Sequence, residues 1–425
     1  MLSTLRNAFS VKEIRTKILY MLLVLFVIRL GTHLPIPGLD TNMLANGDTA
    51  NTLYSLITGG QYGTIFAMGI GPYINASIIM QLLTVAIPKL EQIQKDGEEG
   101  RKKISQYTRI AAVILALLQG AGQVYTVHSA FTNPNWLVYI VGLLSMVTGT
   151  IFIMWLGEKL TEVGIGNGAS FIIFANIVDK LDDGTISLYV SAQGSAMGWV
   201  KVVVILAVLL VIMAFVIVVQ DGERRIPVQY SKKLIGNRMV GGQSSFIPVK
   251  VNIAGVMSII FAISLLQFPQ TINQLFNNDF LTWLSNLLSF NHFSRCFLPV
   301  SRGFLPVGTI IYVILIFCFT FFYTSFAFNS VEVAENMKKS GGFVPGIRPG
   351  KPTSDYIQTI VDRISLIGAI SYAIIALVPI VLEWVTGVNM GIGGTTLLIV
   401  SGVALELLKQ LESQLLIRHY KGFLN

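Results

Sequence analysis

"GIGPYINASIIM", residues 69–80, interrupts what would otherwise be a uniform apolar run. Gly69, Gly71 and Pro72 disturb helix geometry, and Asn75 and Ser77 bring an amide and a hydroxyl to a depth where lipid satisfies neither. Non-helical backbone at membrane depth is tolerated only where it is buried in protein or lines a cavity. The stretch therefore points to an interior surface, with a plain proline kink packed against neighbouring helices as the other reading.

The chain around it belongs in a bilayer. Its 425 residues are 53% hydrophobic and only 12% charged, with a mean hydropathy of +0.67, whereas soluble domains carry about a quarter charged residues. Apolar stretches able to cross ~30 Å of hydrocarbon fall near 18–33, 66–88, 107–127, 136–156, 166–181, 198–219, 250–270, 306–328, 360–385 and 392–412. They predict an all-α membrane protein of ten spans, with both termini on one side and the fifth span short. Arg6, Lys12, Arg15 and Lys17 precede the first run as in a signal peptide, but no small-residue cleavage site follows, so the run is read as a retained span. Cys296 and Cys318 make neither a disulfide framework nor a metal-site spacing, and the four histidines are scattered. No cofactor or metal is expected.

Basic residues set the orientation. One set of loops holds Lys89, Lys95, Arg101, Lys102 and Lys103, then Arg224, Arg225, Lys232, Lys233 and Arg238, then Lys338, Lys339, Arg348 and Lys351; the opposite loops are poor in both types. The rich side is the cytoplasmic one. Topology alone explains this bias, and the net charge of +8 also suits anionic membrane lipids.

"GIGNGASFII" from Gly164 opens the fifth span, and "GIGGTTLLIV" from Gly391 opens the tenth. Five spans separate them, so the two begin at opposite faces, as in two five-helix halves of inverted topology. The halves are expected at 1–181 and 182–425, with cytoplasmic loops at 220–249 and 329–355. Charge is missing from the middle of most spans: 72–88, 110–126, 138–156, 202–219, 251–267, 308–328, 364–382 and 395–405 contain no Asp, Glu, Lys, Arg or His. Ion-coupled transporters place ionisable groups there. "GIGNG" mimics part of a dinucleotide loop but joins two membrane helices rather than a strand and a helix. No nucleotide loop, zinc motif or serine triad is present, so the chain reads as a non-enzyme. Upstream of the broken span, "NTLYSLITGGQYGTIF" (51–66) repeats Leu53, Leu56 and Ile57 at helical spacing but is too short and polar to cross. A re-entrant half-helix is expected there.

The residues now carry a resemblance. "LPIPGLD" (34–40), "GIGPYINASIIMQLLTVAIPKLE" (69–91), "DGEEGRKKISQYTR" (96–109), "MWLGEKLTEVGIGNGASFIIF" (154–174), "KVNIAGV" (250–256), "AENMKKSGGFVPGIRPGKPT" (334–353) and "GGTTLLIV" (393–400) occur in that order. Together they resemble the SecY family, the channel subunits of the bacterial Sec protein translocon. The outer loop around 269–305 has no counterpart in the resemblance. The family implies an hourglass of two inverted five-helix halves in the plasma membrane, both termini cytoplasmic. It passes unfolded preproteins across and releases membrane helices sideways.

By motif position the resemblance assigns a plug at about 53–65, with Leu53, Leu56, Ile57, Gly59 and Gly60. A pore ring falls on Ile70, Ile74, Ala169, Ile173, Ile260 and Ile399, where Ala169 departs from the larger aliphatic often found. A lateral gate between spans two and seven draws on Asn75, Ser77, Gln81, Gln119 and Asn252. Arg224, Arg225, Arg238 and Arg348 become docking contacts for the ribosome or the SecA ATPase motor. The further partners implied are the small membrane subunits SecE and SecG and the signal sequences of preproteins. Apart from the resemblance, Ile70 and Ile74 stand four apart on one helix face, and a narrow aliphatic ring dewets when closed; plain core packing remains the alternative for them. A facilitator of a small solute is the competing function, although it has no need of two protruding basic loops.

Overall fold

A helix stands at each of the ten apolar stretches. A computed structural model describes residues 9, 11–40, 63–126, 128–132, 135–193, 196–230, 233–235, 238–240, 244–276, 278–288, 307–386 and 394–422. The helices are α1 (Lys12–Thr32), α2 (Gly71–Ala86), α3 (Pro88–Lys95), α4 (Glu98–Thr126), α5 (Trp136–Val163), α6 (Gly168–Ala192) and α7 (Ala196–Asp221), followed after a sheet by α8 (Met257–Phe276), α9 (Asp279–Leu288), α10 (Val307–Ala327), α11 (Ser330–Lys339), α12 (Lys351–Thr386) and α13 (Gly394–Gly422). Among the described residues, five helical stretches are long and apolar enough to cross a membrane alone: Glu98–Tyr125, Trp136–Val163, Gly198–Asp221, Val307–Lys339 and Lys351–Leu382. The α2–α3 pair, bent by 102°, makes a sixth. The outward surface suits lipid: Val211 and Val218 of α7 are each 69% exposed, a patch that water would not tolerate.

The broken stretch is a helix start. Residues 65–70 form turns, with Gly69 N–H donating to the Phe66 carbonyl and Gly71 N–H to that of Met68. Gly69 has φ +50°, a conformation that favours glycine. Pro72 falls in the first turn of α2, where a missing N–H costs nothing. No helix is kinked at this proline. The bend comes instead at the far end, where Pro88 opens α3 at a right angle to α2. The expected plug residues Leu53, Leu56, Ile57, Gly59 and Gly60 lie outside the described residues.

One turn of the sequence becomes legible through packing. The "GIGNG" motif is the corner between α5 and α6: Gly166 has φ +85°, and Asn167 caps α6 by accepting from the backbone N–H groups of Ala169 (3.0 Å) and Ser170 (3.3 Å). A Cβ placed on Gly168 would lie 2.1 Å from the Gly157 carbonyl oxygen, so only glycine lets α6 approach α5 this closely. The helix α6 runs on past 181 to 25 residues, but its apolar part, Gly168–Asp179, is short, as the sequence predicts.

The helical architecture carries one addition. The basic loop after α7 is not irregular: β1 (Glu223–Tyr230) pairs antiparallel with β4 (Ser244–Lys250), and β2 (Lys233–Ile235) with β3 (Arg238–Val240). β1 also pairs with β5 (Gly342–Phe343), giving the order β4-β1-β5. Ile226, Val228 and Val249 turn inward from this sheet onto Met337, Val344, Ile357, Val361 and Ile364. The two basic loops are therefore one folded unit on the end of α12.

A central apolar cluster joins α1, α2, α5, α6, α8 and α13, through side chains including Val24, Ile70, Leu160, Ile172, Ile260 and Ile399. A second cluster joins α7, α8, α10, α12 and α13. The helix α8 also packs against α4, far back in the sequence.

Candidate functional site

A cavity of about 590 Å³ opens between α6 on one side and α7, α8, α10 and α13 on the other. Its wall near the sheet is polar: Asn167, Gln220, Lys250, Asn252, Glu406 and Lys409 all contribute. Deeper in the same helices the wall turns aliphatic at Ile173, Ile260 and Ile399. These three side chains are 4%, 5% and 3% exposed and share the central cluster. The order of residues along each helix makes the gradient: polar groups sit at the sheet end of α6, α7 and α13, and the apolar ones further in.

The six expected ring residues all belong to, or pack against, this one cluster, but they stand in different shells. Ile173, Ile260 and Ile399 line the cavity. Ile70 is completely buried, and its Cδ1 would come 3.4 Å from a Cβ placed on Gly157, so it packs back toward α5. Ile74 and Ala169 are half-buried beside them.

The expected gate residues separate likewise. Asn75, Ser77 and Gln81 are half-buried along α2, and Gln119 of α4 is buried. The helix facing α8 across the two halves of the sequence is chiefly α4, so Gln119 stands on the helix that forms this seam. Asn252 lines the cavity and accepts a hydrogen bond from the Tyr372 hydroxyl of α12. That bond ties the entrance of α8 to the second cluster.

Part-exposed ion pairs join neighbouring helices. Lys409 Nζ lies 2.6 Å from Asp221 Oδ1, joining α13 to α7, and Arg109 Nε lies 2.7 Å from Glu158 Oε1, joining α4 to α5. Arg29 Nη1 meets Asp179 Oδ2 at 2.6 Å. Such pairs are worth at most about 1 kcal/mol each.

On the sheet, Arg224 and Arg225 are exposed. Arg225 pairs with Glu223 (2.7 Å) and lies 4.8 Å from the centroid of the Phe246 ring. Arg348 is exposed on the neighbouring turn, framed by Gly346 (φ +83°) and Gly350 (φ +104°), and its carbonyl accepts from Thr353 Oγ1. Arg238 belongs to β3. Sequence reasoning missed the polar cavity wall and the sheet. The signal for the sheet was present in "ERRIPVQY", where Ile226 and Val228 alternate with exposed neighbours. The signal for the wall was the run of polar positions at one end of otherwise apolar helices.

An apolar helix bundle entered from one end by a polar cavity, and closed inside by aliphatic side chains, has the architecture of a gated membrane channel. The sequence matches the SecY family over residues 64–408, and the chain belongs to that family. It is 42% identical to the protein translocase subunit SecY of Halalkalibacterium halodurans, over the full length of both chains. It is 37% identical to that of Aquifex aeolicus, over 99% of this chain and 98% of the relative. Its fold is that of a solved structure described as a protein conducting channel, with TM-score 0.66 and 17% identity over 93% and 91% of the two chains. Sec61 in a canine ribosome-channel complex superposes with TM-score 0.62 and 17% identity over the same shares.

Proposed function

We infer that this chain is the protein-conducting subunit of a translocase, with its pore along the cavity between α6 and α8, α10 and α13. One observation carries the reading: the polar wall of the cavity gives way to Ile173, Ile260 and Ile399 with no charged group among them. An apolar constriction of this kind is poorly wetted, and so resists ions and water when closed. Around an extended polypeptide the same side chains make a compliant collar with no preference for sequence. We assign Ile70, Ile74 and Ala169 to the shell that backs this collar and joins it when the bundle widens.

The halves 1–181 and 182–425 move apart as units in this reading, and 53–65 forms a plug beyond the waist. The α4–α8 seam, with Asn75, Ser77, Gln81, Gln119 and Asn252 near it, is the lateral exit for signal sequences and membrane helices. Hydrogen bonds between helices there are worth only ~0.6–2 kcal/mol each, which suits a seam that opens. The sheet unit presents Arg224, Arg225, Arg238 and Arg348 to a partner that supplies energy, SecA or the ribosome; guanidinium forks bind both phosphate and carboxylate. SecE and SecG complete the assembly. Anionic lipids meet the basic loops, the sheet faces the cytoplasm with both termini, and the bilayer is the bacterial plasma membrane.

Crosslinking tests the path. A version lacking Cys296 and Cys318 receives one cysteine at Ile260 or Ile399, and a stalled secretory chain carries another. With SecE and SecA present, oxidation is expected to join the two only when ATP and a signal sequence are supplied. Equal silence at these positions and at lipid-facing controls, while the chain still crosses, would move the path elsewhere.

A further inference from the structure

The helix α9 stands apart from the channel machinery, and none of its residues is buried. It follows α8, which starts beside the sheet, so α9 lies at the opposite end of the bundle. It packs against α8 and α10, the two helices it connects. Its sequence, "DFLTWLSNLL", divides into three arcs at ~100° per residue. Leu281, Leu284 and Leu288 share one arc and are half-buried, with Leu288 packed on the second apolar cluster. Asp279, Thr282, Ser285 and Asn286 share a polar arc. Between them Phe280 and Trp283 are apolar yet turned outward, 62% and 55% exposed, with half-buried Leu287 on the same arc.

This outward arc is built, not frayed. Phe280 and Trp283 stack with centroids 6.1 Å apart. Asn278 Oδ1 accepts from the Phe280 N–H (3.2 Å), fixing the start of the helix, and Asn273 Nδ2 reaches Thr282 Oγ1 at 3.0 Å, holding the corner against α8. The neighbouring surface is already lipid-facing. Leu265 and Phe268 are large exposed apolar side chains of α8 before the corner, and Ile310 is one of α10 after it.

We propose that α9 is a membrane anchor whose Phe280, Trp283 and Leu287 face docks on the headgroup–acyl boundary of the leaflet opposite the basic sheet. The three arcs match the three media at such a boundary: protein for the leucines, lipid for the aromatic face, water for Asp279, Thr282 and Asn286. Trp is favoured at that depth because its ring offers apolar area together with an N–H that can reach water or headgroups, and Phe280 adds apolar area beside it. An amphipathic helix lying in the interface plane buries this kind of face. The anchor ties the far ends of α8 and α10 to the bilayer surface, so movement of either helix there drags lipid with it.

The test uses the full chain without Cys296 and Cys318, with a single cysteine from Trp283→Cys or Asn286→Cys. Each carries an environment-sensitive fluorophore and is reconstituted in phosphatidylcholine–phosphatidylglycerol vesicles. Half the vesicles contain lipid brominated near the headgroup end of its acyl chains. The label at 283 is expected to be blue-shifted and quenched several-fold more than the label at 286. Equal, weak quenching at both positions overturns the anchor. A label at 283 that is blue-shifted but unquenched at every protein density means that protein covers the face, such as the chain's own 289–306 segment, and also overturns it. Quenching at 283 that is lost as protein density rises, with the blue shift kept, assigns the face to a second copy of the chain instead. If Trp283→Cys does not fold, Phe280→Cys carries the same readout on the same exposed face.

Discussion

At the waist, Ile173, Ile260 and Ile399 come from three distant parts of the chain and are held by their neighbours on nearly every side. On the sheet, Arg224 and Arg348 stand in solvent, and only the backbone beneath them is fixed, by β1–β4 pairing and by two glycine turns. In the proposed reading the first region works by what it excludes, so its function and its packing would rest on the same atoms. The second would work by what it attracts, with side chains free of structural duty and the fold supplying only their position. Damage at the waist should therefore destroy fold and seal together, whereas damage on the sheet should spare the fold.

The hardest blow to this contrast is Ile260→Asp. A carboxylate in so buried a site costs several kcal/mol when unpaired. The expected outcome is loss of folded protein, or ion leakage through vesicles that contain it; a variant as stable and tight as the parent would mean that aliphatic packing does not close the channel. Gly168→Ala is next. Its methyl would meet the Gly157 carbonyl and Leu160 Cβ, at 2.1 and 2.5 Å before any relaxation. Overpacking of this kind costs about 1–3 kcal/mol, visible as a lower midpoint of thermal unfolding in detergent.

A milder change sharpens the boundary between the regions. Asn167→Ala removes the cap of α6 while leaving its apolar face intact, and should cost about 1 kcal/mol without opening the waist. Comparing leakage with unfolding midpoint in that variant separates stability from sealing. The smallest expected effect on stability comes from Arg224→Ala with Arg348→Ala, within about 0.5 kcal/mol. The same pair should weaken docking of SecA or ribosomes, most visibly at low salt, where exposed charges reach further. Unchanged binding at low salt would remove these arginines from the docking surface.

Much of this was legible in advance because it depends on near neighbours. The interruption at Gly69–Pro72 could be read as a helix boundary within an apolar run, and the chain does start α2 there. The "GIGNG" turn could be placed between two helices, though not the reason its last glycine is needed, since the Gly157 carbonyl that forbids a side chain belongs to another helix. The basic loops were visible as charge, but their fold was not. β1 is a short strand beside a long apolar helix, and one of its partners, Phe343, is more than a hundred residues away. The alternation of Ile226 and Val228 marks β1 as a strand, but no local period announces which segment it pairs with.

The sequence by itself determined that this protein lives in a bilayer, where its helices run, and which end carries the basic groups. It does so because hydrophobicity, proline, glycine and charge act within a few residues of themselves. Only the tertiary structure decided that Ile173, Ile260 and Ile399 meet at the foot of a cavity while Ile70 turns back toward α5, that Asn252 bonds Tyr372, and that the two basic loops share one sheet. Those outcomes depend on which helix faces pack together, and two aliphatic side chains with the same local pattern are told apart only by what stands opposite them.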